Sequence, residues 1–230
     1  QQSTKAKTFF KQALAVMHKP TITCLRISDF NTSGLVGSRE EYNSPWCNLT
    51  KSSGASDKSG SNGGSFGIGK FAPYACSSLR TVFYSTSDKE GVCASQGVSR
   101  LTSFKNKKNE ITQGTGFYGN DKNSPMYKQY SLEPAYSRNA EDSGTDIYIV
   151  AFTGDRGWQN QMVASVLDGF LYAIYNGTLV VDVDETIISK DTLADLMISH
   201  KEYFNEHADE YYQTLTDEKL ARTFTKELTD

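Results

Sequence analysis

The chain has 230 residues, with 24 lysines and arginines against 27 aspartates and glutamates, so its formal net charge is −3. This length allows one large domain or two small ones, and the charge lacks the positive excess of many nucleic-acid-binding proteins. No apolar run approaches the roughly 20 residues that cross a bilayer, and the start QQSTKAK has no signal-peptide character. Four cysteines without CxxC spacing favour free thiols. We therefore expect a cytoplasmic protein without a membrane partner.

The first elements that the sequence predicts are a helix and a strand. Thr8 to Met17 carries apolar residues among helix formers and stops before Pro20. Ile22 to Ser28 is a short run with the β-branched and apolar residues of a strand. The strand leads directly into Asp29, which begins the first informative turn.

This turn contains Asp29, Asn31 and Gly34. A carboxylate at a strand end can accept a hydrogen bond from an exocyclic amine, and glycine lets the backbone approach a flat ring. An isolated aspartate in a turn more often bonds its own backbone, so a purely structural turn is the competing interpretation.

A glycine cluster follows a long polar loop. The loop, Ser38 to Asn62, is rich in serine and has few aliphatic residues, so we expect a mobile segment that acts as a lid. The cluster runs into an apolar segment that predicts a helix to about Leu79, and its amides at a helix start would suit a phosphate group. A flexible linker that ends in a helix cap explains the same pattern. The residues concerned are Gly64, Phe66, Gly67, Ile68, Gly69 and Lys70.

An antiparallel meander is expected next, from short β-like runs separated by turn residues. The runs are Thr81 to Ser85, Val92 to Leu101 and Ile111 to Tyr118. A polar excursion over Gly119 to Asp142 separates them from a further strand, Gly144 to Phe152.

The C-terminal part predicts two helices around a strand, followed by a charged tail. Apolar residues recur at helical spacing over Trp158 to Tyr175, Thr178 to Val183 reads as a strand, and a helix is expected near Thr192 to Met197. His200 to Asp230 is highly charged and helix-prone, and the three histidines lack a spacing typical of a metal site.

Three features in this order resemble the ATP-binding domain of the GHKL superfamily, which includes gyrase B, MutL, MORC proteins and sensor histidine kinases. They are the strand that ends in Asp29, the glycine cluster after a lid, and Gly144-Thr145 at the start of a later strand. The resemblance covers roughly Thr8 to Met197. It implies an α+β fold in which a mixed, mostly antiparallel sheet is covered on one face by helices, as a two-layer sandwich with an ATP lid.

The resemblance also implies a role for individual residues. Asp29 would accept a hydrogen bond from the adenine amino group, and Thr145 would lie behind it in the adenine pocket. Gly64, Gly67, Gly69 and Lys70 would surround the phosphates. ATP and Mg²⁺ are the expected cofactors, with no metal ligand assigned to this chain.

Two departures from the family pattern are visible. The aspartate motif normally reads Asp-x-Gly-x-Gly, but Asn31 stands at the first glycine position and one extra residue precedes Gly34; asparagine tolerates the left-handed conformation that such a turn needs. The family also has an earlier helix with a catalytic Glu and a magnesium-binding Asn, and no Glu-x-x-x-Asn pattern precedes Asp29. We therefore expect a fragment that begins after that helix, or else a protein that binds ATP without the usual hydrolysis; the catalytic residues are unknown.

The expected function is an ATP-binding, ATP-hydrolysing module whose lid closure couples the nucleotide state to association with a partner. The partners implied are an ATP-dependent homodimer or an effector domain or protein. Nucleic acid stays open as a partner, although the net charge does not support it. The long lid and the excursion are more similar to MutL and MORC relatives, some of which accompany restriction or phage-defence genes. A histidine-kinase-type catalytic domain and a non-catalytic interaction domain are the alternatives. The expected domains are 1–199 for ATP binding and 200–230 as a helical appendage or the start of a following domain.

Overall fold

The structure is a computed structural model that describes residues 4–52, 69–139 and 141–204. Two compact units divide the chain, Gln1–Thr153 and Gly154–Asp230. The expectation of one ATP-binding domain over 1–199 stays a prediction. Within the described ranges, no helix has the length and apolar character needed to cross a membrane.

The first unit combines short helices with five strands. Its elements are α1 (Thr4–Met17), β1 (Cys24–Ser28), α2 (Pro45–Thr50), a 3₁₀ helix (Gly69–Phe71), α3 (Ala72–Ala75), β2 (Thr81–Ser87), β3 (Cys93–Arg100), β4 (Thr115–Tyr118), two 3₁₀ turns (Asp121–Asn123 and Pro134–Tyr136) and β5 (Gly144–Val150).

The five strands form one sheet in the order β1-β5-β2-β3-β4. All four pairings are antiparallel, including the β2-β3-β4 meander that the sequence predicts. The α+β fold class is therefore confirmed, although the described sheet is wholly antiparallel rather than mixed. β5 lies inside the sheet between β1 and β2, which agrees with its strongly β-like sequence.

The loop expected over residues 38–62 contains a helix that the sequence analysis missed. Ser44 caps α2 by accepting a hydrogen bond from the Cys47 N–H at 3.1 Å, and Pro45 occupies the first turn. These are favourable choices at a helix start. Trp46 is fully buried in the core against the sheet, so this part of the loop is a structural element.

The helix expected after the glycine cluster is much shorter than predicted. A 3₁₀ turn over Gly69–Phe71 leads to α3, which ends at Ala75. Ser77 then bonds the Val150 carbonyl through its hydroxyl at 2.5 Å, and the Ser78 N–H donates to the Ala151 carbonyl. These bonds draw the chain toward the sheet and leave little room for more helical turns.

The strand register assigns side chains to two faces of the sheet. Residues directly opposite each other in adjacent strands share a face. Tyr84 lies opposite Gln96 and Ile147, and Thr86 lies opposite Ala94 and Thr145. We call this side the core face, because it carries the buried cluster that includes Trp46, Tyr74, Val82, Tyr84 and Val98.

The opposite side, which we call the aromatic face, is contacted by the excursion between β4 and β5. The Tyr130 ring stacks on Phe83 at 4.8 Å between centroids and meets Tyr148 edge-on at 5.6 Å. The Tyr130 N–H also donates to the Ser85 hydroxyl at 3.0 Å. The polar excursion is therefore an ordered covering of the sheet.

The second unit has a core of its own. It contains α4 (Trp158–Tyr175), β6 (Val181–Val183), β7 (Thr186–Ile188), α5 (Leu193–Ser199) and a 3₁₀ turn (Lys201–Tyr203). The observed bounds of α4 are those that its apolar spacing predicts. Residues 205–230 of the expected appendage lie outside the described residues. The core residues of this unit are Val163, Leu167, Ile174, Val183, Ile188, Leu193 and Met197.

Candidate functional site

Asp29 and Thr145, which the sequence analysis paired, are in direct contact. The Thr145 N–H donates to Asp29 Oδ1 at 2.9 Å, and the Asp29 N–H donates to the Thr145 carbonyl at 3.0 Å. Asp29 thus extends the pairing of β1 with β5 by one residue. The carboxylate is held at the end of the sheet where β1 finishes and β5 begins.

The two oxygens of the Asp29 carboxylate have different surroundings. Oδ1 also accepts a hydrogen bond from the Thr32 hydroxyl at 2.7 Å, so this oxygen fixes the turn. Oδ2 receives no hydrogen bond from the described residues, and the residue is exposed. One oxygen therefore orients the carboxylate while the other remains open as an acceptor. The partners of Oδ1 are Thr32 and Thr145 rather than the backbone of Asp29 itself, and both bonds serve the structure of the turn, so a purely structural turn stays the competing interpretation.

The turn after Asp29 uses left-handed backbone conformations. Asn31 has a φ of 57°, and Gly34 and Gly37 have φ values of 62° and 80°. Asparagine and glycine adopt this region at lower cost than other residues. At Gly34 a side chain would also collide with the Ser87 carbonyl. Asn31 therefore adopts the left-handed conformation that the sequence analysis expects of it.

Thr86, which the sequence analysis did not single out, joins this turn to the start of β5. Its hydroxyl accepts a hydrogen bond from the Leu35 N–H at 2.8 Å and donates to the Gly144 carbonyl at 3.0 Å. Thr86 is fully buried, so the hydroxyl satisfies two backbone groups that water does not reach. A threonine directly after the predicted β-like run Thr81 to Ser85 is the only sequence signal for this role.

Gly144 allows the Asp29 turn and β5 to approach closely. Its φ is 153°, and a side chain there would collide with the Asp29 carbonyl oxygen and with the Arg138 guanidinium. Glycine is the residue that tolerates both conditions. The Gly144-Thr145 pair is thus needed for the local backbone geometry.

Of the predicted phosphate-binding residues, only Gly69 and Lys70 are described. Gly64, Phe66, Gly67 and Ile68 lie outside the described residues. Gly69 opens the 3₁₀ turn, and Lys70 Nζ donates to the Asn48 carbonyl at 3.0 Å. Lys70 therefore contacts α2, which belongs to the segment expected to be the lid.

A second cation, Arg100, lies close to Lys70. The Arg100 guanidinium is 4.8 Å from the Phe71 ring centroid, and Lys70 Nζ is 5.7 Å from the same centroid. Burial and the positive charge of Arg100 together lower the pKa of Lys70. The sequence analysis did not single out Arg100. In the structure it lies on the core face, two residues after Val98 in β3. No spacing in the sequence marks it as functional.

The Asp29 and Arg100 regions lie at opposite ends of the core face. The Arg100 N–H bonds the Arg80 carbonyl, and Thr86 is roughly six residues further along β2, which corresponds to about 20 Å. Two tyrosines lie between these regions. The Tyr74 ring is 5.0 Å from the Arg100 guanidinium, and the Tyr74 and Tyr84 hydroxyls are joined by a hydrogen bond of 3.1 Å. The two regions therefore belong to one face, joined through buried side chains.

The described residues contain no group of three or more histidine, cysteine, aspartate or glutamate side chains that could hold a metal ion. Comparison of the chain with family models, curated proteins and solved structures finds no match. The assignment of a function therefore rests on the geometry of the site.

Proposed function

We propose that this chain is an ATP-binding module of the GHKL type, in which Asp29 recognises the adenine amino group. The proposal includes the finer architecture implied by the resemblance, a two-layer sandwich with a lid, and an ATP hydrolysis cycle that controls association with a partner. Its Mg²⁺ is held chiefly by the nucleotide phosphates and by residues that we do not assign.

The single observation that carries the proposal is the asymmetry of the Asp29 carboxylate. Oδ1 is oriented by the Thr145 N–H and the Thr32 hydroxyl, and Oδ2 is an open, exposed acceptor. A carboxylate that is fixed in this way can receive an N–H donor without first losing its own freedom of rotation. An exocyclic amine is such a donor.

Leu35 follows the turn and packs against the core cluster, and Ile147 lies on the core face two residues after Thr145. Small-molecule sites usually combine apolar side chains with a few fixed polar groups. Leu35 and Ile147 are the apolar contacts that this proposal assigns to the base.

The substitution Asp29→Asn tests the proposal, because asparagine keeps one acceptor oxygen for Thr32 and Thr145. Its amide nitrogen replaces Oδ2 and opposes the adenine amino group with another donor. We expect ATP affinity to fall about 10- to 100-fold by calorimetry in the presence of Mg²⁺. Inosine triphosphate, which carries an oxygen in place of that amine, should bind the natural chain weakly and lose little in the variant.

Asp142→Asn is the matched control. The Asp142 carboxylate also fixes a turn, through hydrogen bonds from the Asn139 N–H and side-chain amide at 3.1 and 3.0 Å. This variant makes the same charge change and should leave ATP affinity unchanged. Equal ATP affinity of the natural chain and Asp29→Asn would contradict base recognition by Asp29. Absence of any heat with ATP would instead favour the interaction-domain alternative.

A further inference from the structure

No described strand pairs with the outer edge of β4. This strand is the last in the sheet, and its strand partner is β3. The Leu101 N–H donates to the Gly114 carbonyl at 2.7 Å, and bonded pairs alternate along an antiparallel ladder. Thr115 and Phe117 therefore turn their backbone N–H and C=O groups away from β3. An edge of this kind can accept a further strand from another chain.

The sequence of β4 does little to protect this edge. It reads Thr-Gly-Phe-Tyr and contains neither proline nor a charged residue. Edge strands are commonly protected from pairing by such residues, by bulges or by being short. Shortness is the protection that β4 does have, since it is four residues long. A docked strand would therefore pair over about four residues, or roughly 13 Å.

A cavity of about 870 Å³ is lined from β4 by Thr115 and Phe117. Phe117 is half-buried and also packs against the core cluster. The volume falls within the range of ligand-binding sites, about 300–1,000 Å³. The same two residues thus contribute the open backbone groups of the edge and part of the cavity wall.

Two lysines line this cavity from different segments of the chain. Lys51 is the C-cap residue of α2, and Lys122 lies in the 3₁₀ turn after β4. Neither makes an ion pair with a described carboxylate, and Glu41 is the one acidic residue in the lining. The lining therefore carries two positive charges and one negative charge. This balance favours a ligand with negative charge.

Hydrogen bonds fix the backbone that carries both lysines. The Lys51 N–H donates to the Cys47 carbonyl at 2.9 Å. The Asn123 carbonyl, next to Lys122, accepts a hydrogen bond from the fully buried Gln96 side chain at 2.8 Å. The two segments are thus held beside the cavity before a ligand arrives, which lowers the entropic cost of binding.

A purely structural explanation accounts for part of this arrangement, because isolated exposed lysines are normal on protein surfaces. It does not account for two lysines, a half-buried phenylalanine and an open strand edge in the lining of one cavity. An extended acidic peptide would use all of these features. Its backbone would pair with the edge, alternate side chains would enter the cavity, and its carboxylates would meet the lysines.

We propose that β4 and this cavity bind an extended acidic peptide segment of a partner protein, which joins the sheet as a sixth strand. Main-chain hydrogen bonds to Thr115 and Phe117 hold the segment, and Lys51 and Lys122 select acidic side chains at alternate positions. The inference does not depend on nucleotide binding. β4 is four strand spacings, or roughly 19 Å, from β1, the strand that leads into Asp29.

A display library of random heptapeptides, selected on the natural chain, tests the proposal. We expect enrichment of peptides with aspartate or glutamate at alternate positions and without proline between them, since proline cannot donate to the ladder. The enriched peptide is then synthesised and its affinity is measured by fluorescence anisotropy. The double variant Lys51→Gln/Lys122→Gln should bind it about 10-fold or more weakly than the natural chain.

Lys107→Gln/Lys108→Gln is the matched control. These two lysines are exposed in the connection between β3 and β4, and they do not line the cavity. The control removes the same charge close to the same strand. It should weaken binding less than about 2-fold, because solvent and salt screen exposed charges that do not touch the ligand. Circular dichroism checks that both variants keep the fold.

Methylation of the peptide nitrogens tests the strand pairing itself. In an added strand only alternate N–H groups face β4. An N-methyl group at one of those positions should weaken binding about 10-fold, and one at an intervening position should change it little.

Several results would overturn the proposal. They are enrichment of no peptide or of basic peptides, an equal change in the cavity variant and the control, and equal effects of N-methylation at all positions. A dimer of the natural chain that dissociates in Lys51→Gln/Lys122→Gln, seen by sedimentation, would also overturn it, because a second copy would then occupy the edge. The calorimetry of ATP with Asp29→Asn gives its answer separately, so failure of one proposal is distinguishable from failure of the other.

Discussion

The two faces of the five-stranded sheet use their carboxylates in opposite ways. On the aromatic face, Asp146 accepts hydrogen bonds at both oxygens, from Arg26, from Arg138 and from the Ser28 hydroxyl. At the end of the same strands, Asp29 uses one oxygen and leaves the other open. Asp146 is buried and Asp29 is exposed.

This difference separates a carboxylate that is committed to the fold from one that has an acceptor to spare. A buried charge without partners costs several kcal/mol, and Asp146 is accordingly surrounded by donors. The proposed ligand role of Asp29 requires a free acceptor, which its Oδ2 provides among the described residues. Arg138 pairs with Asp146 at 2.8 Å, whereas Arg100 makes no ion pair with a described carboxylate.

Replacement of Asp146 should have the largest effect on stability. Asp146→Asn leaves two arginines facing a neutral side chain, one of them almost fully buried. We expect the free energy of unfolding to fall by about 3–5 kcal/mol, measured by urea denaturation. A loss below about 1 kcal/mol would show that the aromatic face does not depend on this carboxylate.

The free energy of unfolding of both proteins, measured as the pH is lowered, provides the control for this variant. Burial alone would raise the pKa of Asp146, but hydrogen bonds from Arg138 and Ser28 and the charge of Arg138 hold it below its ordinary value of 3.8. A carboxyl with a depressed pKa stabilises the fold above that value and loses its effect as pH falls through the folded-state pKa. The stability difference between the natural chain and Asp146→Asn should therefore narrow below about pH 4.

Gly144→Ala should have the next largest effect on stability. It tests whether the close approach of the Asp29 turn to β5 matters for ligand binding. The added methyl group would collide with the Asp29 carbonyl and occupy a backbone conformation that favours glycine. We expect a loss of about 2–3 kcal/mol in unfolding free energy together with weaker adenosine binding. Gly116→Ala in β4, where a methyl group meets nothing within 4 Å, is the control and should change neither quantity. Normal adenosine binding by a destabilised Gly144→Ala would separate the Asp29 turn from the base site.

Tyr130→Leu should have the smallest effect and be confined to the aromatic face. The substitution removes the ring that stacks on Phe83 and contacts Tyr148, while it keeps an apolar side chain. We expect thermal unfolding to show a loss of about 1 kcal/mol. ATP affinity should stay constant, because the ring contacts of Tyr130 with Phe83 and Tyr148 lie on the aromatic face. A drop in ATP affinity would mean that the faces are coupled.

Local patterns in the sequence predicted the strands and the longest helix well. Apolar spacing gave α4 over Trp158–Tyr175, and β-like runs separated by turn residues gave the meander. The contact between Asp29 and Thr145 followed from a family resemblance rather than from the residues alone. Periodicity is a property of neighbouring residues, so it predicts elements better than the contacts between them.

Features that depend on tertiary contacts were not predicted. The helix around Trp46 is only six residues long and lies in a serine-rich stretch, although Ser44-Pro45 is a start signal that a closer reading would have used. The roles of Thr86 and Arg100 depend on partners that are distant in sequence, such as Leu35 and Phe71. No pattern of spacing within a strand reports such partners.

The hydrogen bonds of Thr86 limit how this position can vary among related chains. A hydroxyl carries a single hydrogen, and here it must point at the Gly144 carbonyl while a lone pair receives the Leu35 N–H. Valine has the same shape but can do neither, and serine is the one replacement that offers the same group in a similar volume. A serine or threonine at this place would therefore help to identify distant relatives that share the site when overall similarity has faded.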